Sequence, residues 1–207
     1  MTNNEIKKIV KIYFESITSK DFILFKDILV KISNDNILYG FCFEKSSNKN
    51  TLFVWSFCLP LYIPNNFLRL TFGKRLIKSD WLVKENINII EDMRKLESLM
   101  IHEIDNFFDQ VDSASKFYSY YEEKKDNIRV HEPLVYSAIY SKNPNSNLIL
   151  NDIISEMESE KYNISTEWEN NILLDMKHLK SILNNEIELK KLFQKNILNT
   201  KQVLKIE

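Results

Sequence analysis

The stretch "ILYGFCFEKSSNKNTLFVWSFCLPLYI", Ile37 to Ile63, decides what kind of fold this chain can adopt. Two runs rich in aromatic and β-branched residues flank the polar connector "SSNKN", the pattern of two antiparallel strands joined by a short loop. In the second run Phe53, Trp55, Phe57 and Leu59 point one way, and Leu52, Val54 and Cys58 the other. Both faces are largely apolar, so a strand covered on both sides is expected, with helices as the cover. Pro60 and Pro64 bracket "LYI" and end the strand or bring it to an edge, because a proline gives up a ladder hydrogen bond.

Working outward, "EIKKIVKIYFESI" places Ile6, Ile9, Val10, Tyr13, Phe14 and Ile17 at spacings of three and four, which predicts an amphipathic helix. The segment up to Ile32 reads first as a helix through Phe22, Phe25, Leu29 and Ile32, then a turn at "SNDN". The alternation of Ile28, Val30 and Ile32 leaves a strand as the other reading. Downstream, "FLRLTFG" alternates Leu68, Leu70 and Phe72 with Arg69 and Thr71 and predicts a strand with one exposed face. Gly73 then reads as a turn or bulge.

Beyond Trp81 the period changes. Met93, Leu96, Met100, Ile104, Phe107, Phe108 and Val111 form one long helical stripe, and only "IRV" near Val130 suggests another strand. "EPLVYSAIY" suits a helix with Pro133 in its first turn. "KNPNSN" is the strongest turn signal, and "LILNDIISEM" opens a further helix. In "STEWENNILLDMKHLKSIL", Ser165 or Thr166 can cap a helix whose Ile172, Met176, Leu179 and Leu183 recur every four and three residues. A last helix is built on Ile187, Leu192, Phe193 and Ile197. The fold class is therefore α+β: an N-terminal helix and small antiparallel sheet over residues 1–85, then a region of about five helices over 86–207. No glycine- or proline-rich linker separates them, so they are expected to pack as one unit.

The 207 residues carry 28 Lys and Arg against 29 Asp and Glu, a balance that disfavours general nucleic-acid binding. The charge is uneven, however: residues 1–85 hold 13 basic against 8 acidic groups, and the remainder 15 against 21. No apolar stretch is long enough to cross a bilayer, and Cys42 and Cys58 lack metal or redox spacing, so a cytoplasmic protein with core thiols is expected. Neither metal nor cofactor is expected.

Candidate sites are few. Arg69, Lys74, Arg75 and Lys78 surround Gly73 and are the anion-binding candidates, although "FGKRLIKSDW" matches no phosphate-loop pattern. His102, Asp105, Asp109 and Asp112 would share one face of the long helix. That stripe could take a divalent ion only with ligands from a second helix, such as His131 with Glu132, or Glu167, Asp175 and His178; a solvated acidic face is the plainer reading. In "FYSYYEE", Tyr118, Tyr120 and Tyr121 combine large area with a polar end and make the best place for a protein partner. Together with Asp105, Asp109 and Asp112 they are the protein-binding candidates.

The first functional reading is a non-enzymatic intracellular protein-binding module, of an immunity or regulatory type, as a monomer or homodimer. The alternative is a hydrolase or nucleotide-handling enzyme with histidines converging in a cleft. A nucleic-acid module using residues 69–78 is weaker.

Overall fold

The computed structural model describes residues 2–17, 21–25, 28–45, 52–76, 89–125, 127–159, 164 and 166–206. Lys78, Trp81 and Ser165 lie outside them. Contacts divide the chain into two compact units, Met1–Leu59 with Leu68–Asp112, and Pro60–Phe67 with Ser113–Glu207.

The first unit holds a five-stranded sheet in sequence order: β1 (Ile23–Phe25), β2 (Ile28–Ile32), β3 (Ile37–Lys45), β4 (Leu52–Pro60) and β5 (Gly73–Arg75). Helices α1 (Asn3–Ile17) and α2 (Ile89–Asp105) belong with it. The strand reading of residues 28–32 prevails over the helical one. Antiparallel pairing from Ile28 with Cys42 to Ile32 with Leu38 buries Leu29 and Val30 on opposite faces, which a helix with one apolar side could not do. The "SNDN" turn closes the hairpin: the Asn36 N–H donates to the Ser33 carbonyl (3.1 Å), and Asn36 takes a left-handed φ of 58°.

One sheet face is an aromatic core. Phe108 packs on Tyr39 and Phe41 with ring centroids 4.9 and 5.3 Å apart, and Tyr13 of α1 stacks on Phe43 at 5.8 Å. Gly40 sits opposite Val30, where an added Cβ would stand 1.9 Å from the Leu29 carbonyl oxygen. The residue is glycine because the neighbouring backbone leaves no room.

Several expectations are corrected. The strand expected in "FLRLTFG" begins only at Gly73 and pairs with β4 from Phe57 to Trp55. Leu68, Arg69 and Leu70 are all half-buried, without the in-and-out alternation a one-sided strand requires. Gly73 is neither a turn nor at positive φ. It lies within β5, and a Cβ there would come 2.5 Å from the Ser56 carbonyl oxygen. The long helical stripe also breaks. α2 stops at Asp105, where Asn106 Nδ2 donates to the His102 carbonyl (2.8 Å), and a 3-10 turn, Phe108–Gln110, follows. Phe107, Phe108 and Val111 are nevertheless all buried.

The second unit contains α3 (Ala114–Glu122), α4 (Ile128–Tyr140), α5 (Ser146–Glu158), α6 (Glu167–Ile182) and α7 (Glu186–Leu204). "IRV" is the first turn of α4, not a strand. Asn127 caps it, its side chain accepting from the Arg129 N–H (3.1 Å), so Pro133 falls in the second turn. A proline inside a helix costs about 3 kcal/mol, and burial of every residue from Val130 to Ile139 offsets it. Thr166 caps α6 as expected, its N–H donating to Glu169 Oε2 (3.0 Å). Ile172, Met176 and Leu179 are buried as their spacing predicts. Ile187, expected in the core, is exposed, because the buried face of α7 runs through Phe193, Asn196 and Thr200, roughly a third to a half of a turn away. Both cysteines are free thiols. Among the described residues no helix is long and apolar enough to cross a membrane.

Candidate functional site

The basic segment does not present its charges together. Successive strand residues point to opposite faces, so Lys74 and Arg75 part company. Lys74 Nζ reaches Glu103 Oε1 of α2 at 2.9 Å. The Arg75 guanidinium lies 3.9 Å from the ring centroid of Phe53 and 5.0 Å from that of Trp55, on the other face. Trp55 Nε1 in turn donates to Glu44 Oε2 (2.8 Å). Arg69 is half-buried.

Glu103 was not marked by any sequence pattern. Its side chain is 6 % exposed, yet it accepts from Ser56 Oγ (3.0 Å) as well as pairing with Lys74. The exposed neighbour His102 comes within 3.8 Å of the same carboxylate. Of the expected acidic face, Asp105 ends α2, Asp109 sits in the 3-10 turn and Asp112 beyond it, so no single helical face carries the three. Asp109 and Asp112 instead bear electrostatically on the Tyr39 phenol. Burial first, then Asp112, Asp109 and Asp21, push that phenol above its ordinary range. Among the described residues no group of three His, Cys, Asp or Glu side chains converges as a metal site would require.

In the second unit, Tyr118 and Tyr121 are buried and Tyr120 is half-buried. Tyr118 donates to Glu122 Oε1 (2.6 Å); burial above all, then that carboxylate, raises its pKa. Lys124 Nζ lies 4.2 Å from the Tyr120 ring centroid and 4.9 Å from that of Tyr121. His131 is wholly buried, its Nε2 2.7 Å from the Lys125 carbonyl oxygen, and His178 is exposed on α6.

A concave feature of this unit lies elsewhere, at the end of α4, the α6–α7 turn and the first three turns of α7. It is a groove of about 580 Å³. One face of α7 lines it with two rows at four-residue spacing: Leu189, Phe193 and Ile197, and beside them Glu186, Lys190 and Gln194. Ile139, Tyr140 and Leu183 supply the facing wall, with Lys142 at the rim.

The groove is firmly supported from below. Tyr62 stacks on Tyr140 at 4.2 Å and 11°, and Phe193 meets Tyr140 edge-on at 5.1 Å. The Tyr62 hydroxyl is hydrogen-bonded to Ser137 Oγ (2.8 Å), while Asn196 Nδ2 donates to the Tyr62 carbonyl (3.0 Å). The segment between Pro60 and Pro64 is thus a brace: Leu61, Tyr62 and Ile63 are all fully buried in the helical unit.

By spacing alone Phe193 and Ile197 mark only a last helix. The signal for the groove is the apolar row from Leu189 to Ile197 lying beside a polar row on the same helix. Tyr140 and Leu183 could be brought to this groove only by folding. Comparison with family models, with curated proteins and with solved structures finds no match to the chain.

Proposed function

We propose that this chain is a non-enzymatic protein-binding module of the cytoplasm, of an immunity or regulatory type, and that the α7 groove seats its partner. The observation that carries the reading is the lining: apolar Leu189, Phe193 and Ile197 on the floor, with Lys190, Gln194 and Lys142 towards the rim. A protein interface combines an apolar centre, into which a partner's anchoring side chains fit, with a polar rim. The aromatic brace beneath holds that surface in shape before any partner arrives, which lowers the ordering cost of binding.

The test uses the full chain with a photo-reactive residue at Asn184, an exposed residue that lines the groove. Irradiation in cells is expected to join it to one protein, identified by mass spectrometry. Gln194→Trp fills the groove from an exposed position and should weaken capture of that protein at least tenfold without lowering the melting temperature. Undiminished capture by the filled variant would show that the partner binds elsewhere.

A further inference from the structure

We infer that the occupant of the groove is an amphipathic helix of another protein, with acidic residues flanking its apolar stripe; this rests on the protein-binding reading and names the partner's chemistry. The walls favour a helix. The lining residues of α7 run from Glu186 to Ile197, about three turns and roughly 17 Å at 1.5 Å per residue. A row at four-residue spacing, as in Leu189, Phe193 and Ile197, is the ridge against which a second helix packs. Recognition of this kind uses partner anchors at i, i+3 or i+4, and i+7. The groove is walled by helical ends and a turn, so an extended partner has no strand edge to join here.

The rim sets the sign of the charge. Two ammonium groups, Lys142 and Lys190, stand against one carboxylate, Glu186. Glu186 is 3.5 Å from Lys142 with both side chains more than four-fifths exposed, a pairing that water and salt weaken. Lys190 has no carboxylate partner among the described residues. The same charges disfavour a second copy of this chain offering its own α7: that helix carries four lysines, Lys190, Lys191, Lys195 and Lys201, against two glutamates. Lysine would then face lysine. An acidic helix meets the apolar floor and the basic rim together.

A display library of random peptides with no built-in helical bias, selected on the immobilised full chain, tests this. Enriched sequences are expected to share apolar residues at helical spacing with Asp or Glu beside them. An enriched peptide, followed by fluorescence polarisation, should lose at least fivefold in affinity on Lys190→Glu and at least tenfold on Gln194→Trp, and should weaken as salt rises. Repeating the selection on Lys190→Glu should enrich basic flanks instead. Failure to enrich any peptide, enrichment of extended or basic sequences on the wild type, or an unchanged preference on Lys190→Glu would overturn the inference. So would concentration-dependent dimerisation abolished by Gln194→Trp, which would assign the groove to a second copy. If the cellular partner is lost on Gln194→Trp while the selected peptides are not acidic helices, only the partner's chemistry is wrong; if it is retained, the groove itself is.

Discussion

The two units pin their interiors with different polar chemistry. In the sheet unit the pin is charged: Glu103 joins Ser56 of β4 to Lys74 of β5. In the helical unit it is neutral: the Tyr62 hydroxyl meets Ser137, and Asn196 holds the Tyr62 carbonyl. Depth explains the choice. Lys74 keeps a side-chain exposure of 56 %, so water still solvates one end of the ion pair. Tyr62 and Ser137 are both fully buried, where an ion would cost several kcal/mol more than a hydrogen-bonded hydroxyl. In these two pins, charge is used where one partner remains wet, and neutral groups serve where neither does.

Three changes would break or sharpen this comparison. The largest effect belongs to the sheet. Gly40→Ala must push β2 and β3 apart to place its Cβ and should lose about 3 kcal/mol or more, read from denaturant unfolding. A loss below about 1 kcal/mol would mean that the strands can yield.

The neutral pin comes next. Tyr62→Phe strands the Ser137 hydroxyl in an apolar site and should cost about 1–3 kcal/mol. Adding Ser137→Ala removes the stranded group and should recover part of that loss, giving a measurable coupling in the double-mutant cycle. Strict additivity would show that the two hydroxyls act independently.

The smallest effect is alkaline. Burial above all, then Glu132 and Asp175, raises the Tyr136 pKa above the ordinary value of about 10. The native state therefore holds the phenol neutral, while the unfolded chain ionises it near pH 10. Its contribution to stability is complete below about pH 10 and declines as pH rises from there towards the folded-state pKa, by about 1 kcal/mol over the first unit. Denaturant midpoints from about pH 9 to about pH 11 check this, and Tyr136→Phe should lessen the decline by that amount, leaving the shares of Tyr39 and Tyr118.

Much of the architecture was legible in the residues. α1, β3, β4, α5 and α6 lie where their periodicity places them, because each has enough residues for its period to be unambiguous. The misreadings fall where local pattern and distant pairing compete. Residues 28–32 have too few apolar positions to distinguish the two periods, and it is β3 that makes them a strand. Gly73 looks like a turn until β4 is laid beside it. "IRV" looks like a strand until Asn127 caps the helix it begins.

The candidate site was legible only in part. Tyr118, Tyr120 and Tyr121 are adjacent in the chain, yet helix α3 turns two of them inward and leaves one half-buried. Lys74 and Arg75 are consecutive, yet the strand sends them to opposite faces. Adjacency in sequence was a poor guide to adjacency on the surface.

By itself the sequence determined the kind of most elements and that strands give way to helices between Arg75 and Ile89, since the period of burial is a local property. Only the tertiary structure decided that residues 60–67 join the helical unit, that Glu103 meets Ser56 and Lys74, and that Tyr140 and Leu183 face α7 across a groove. Those are contacts between residues far apart in the chain. They depend on how loops close and which faces meet, and no local spacing encodes that.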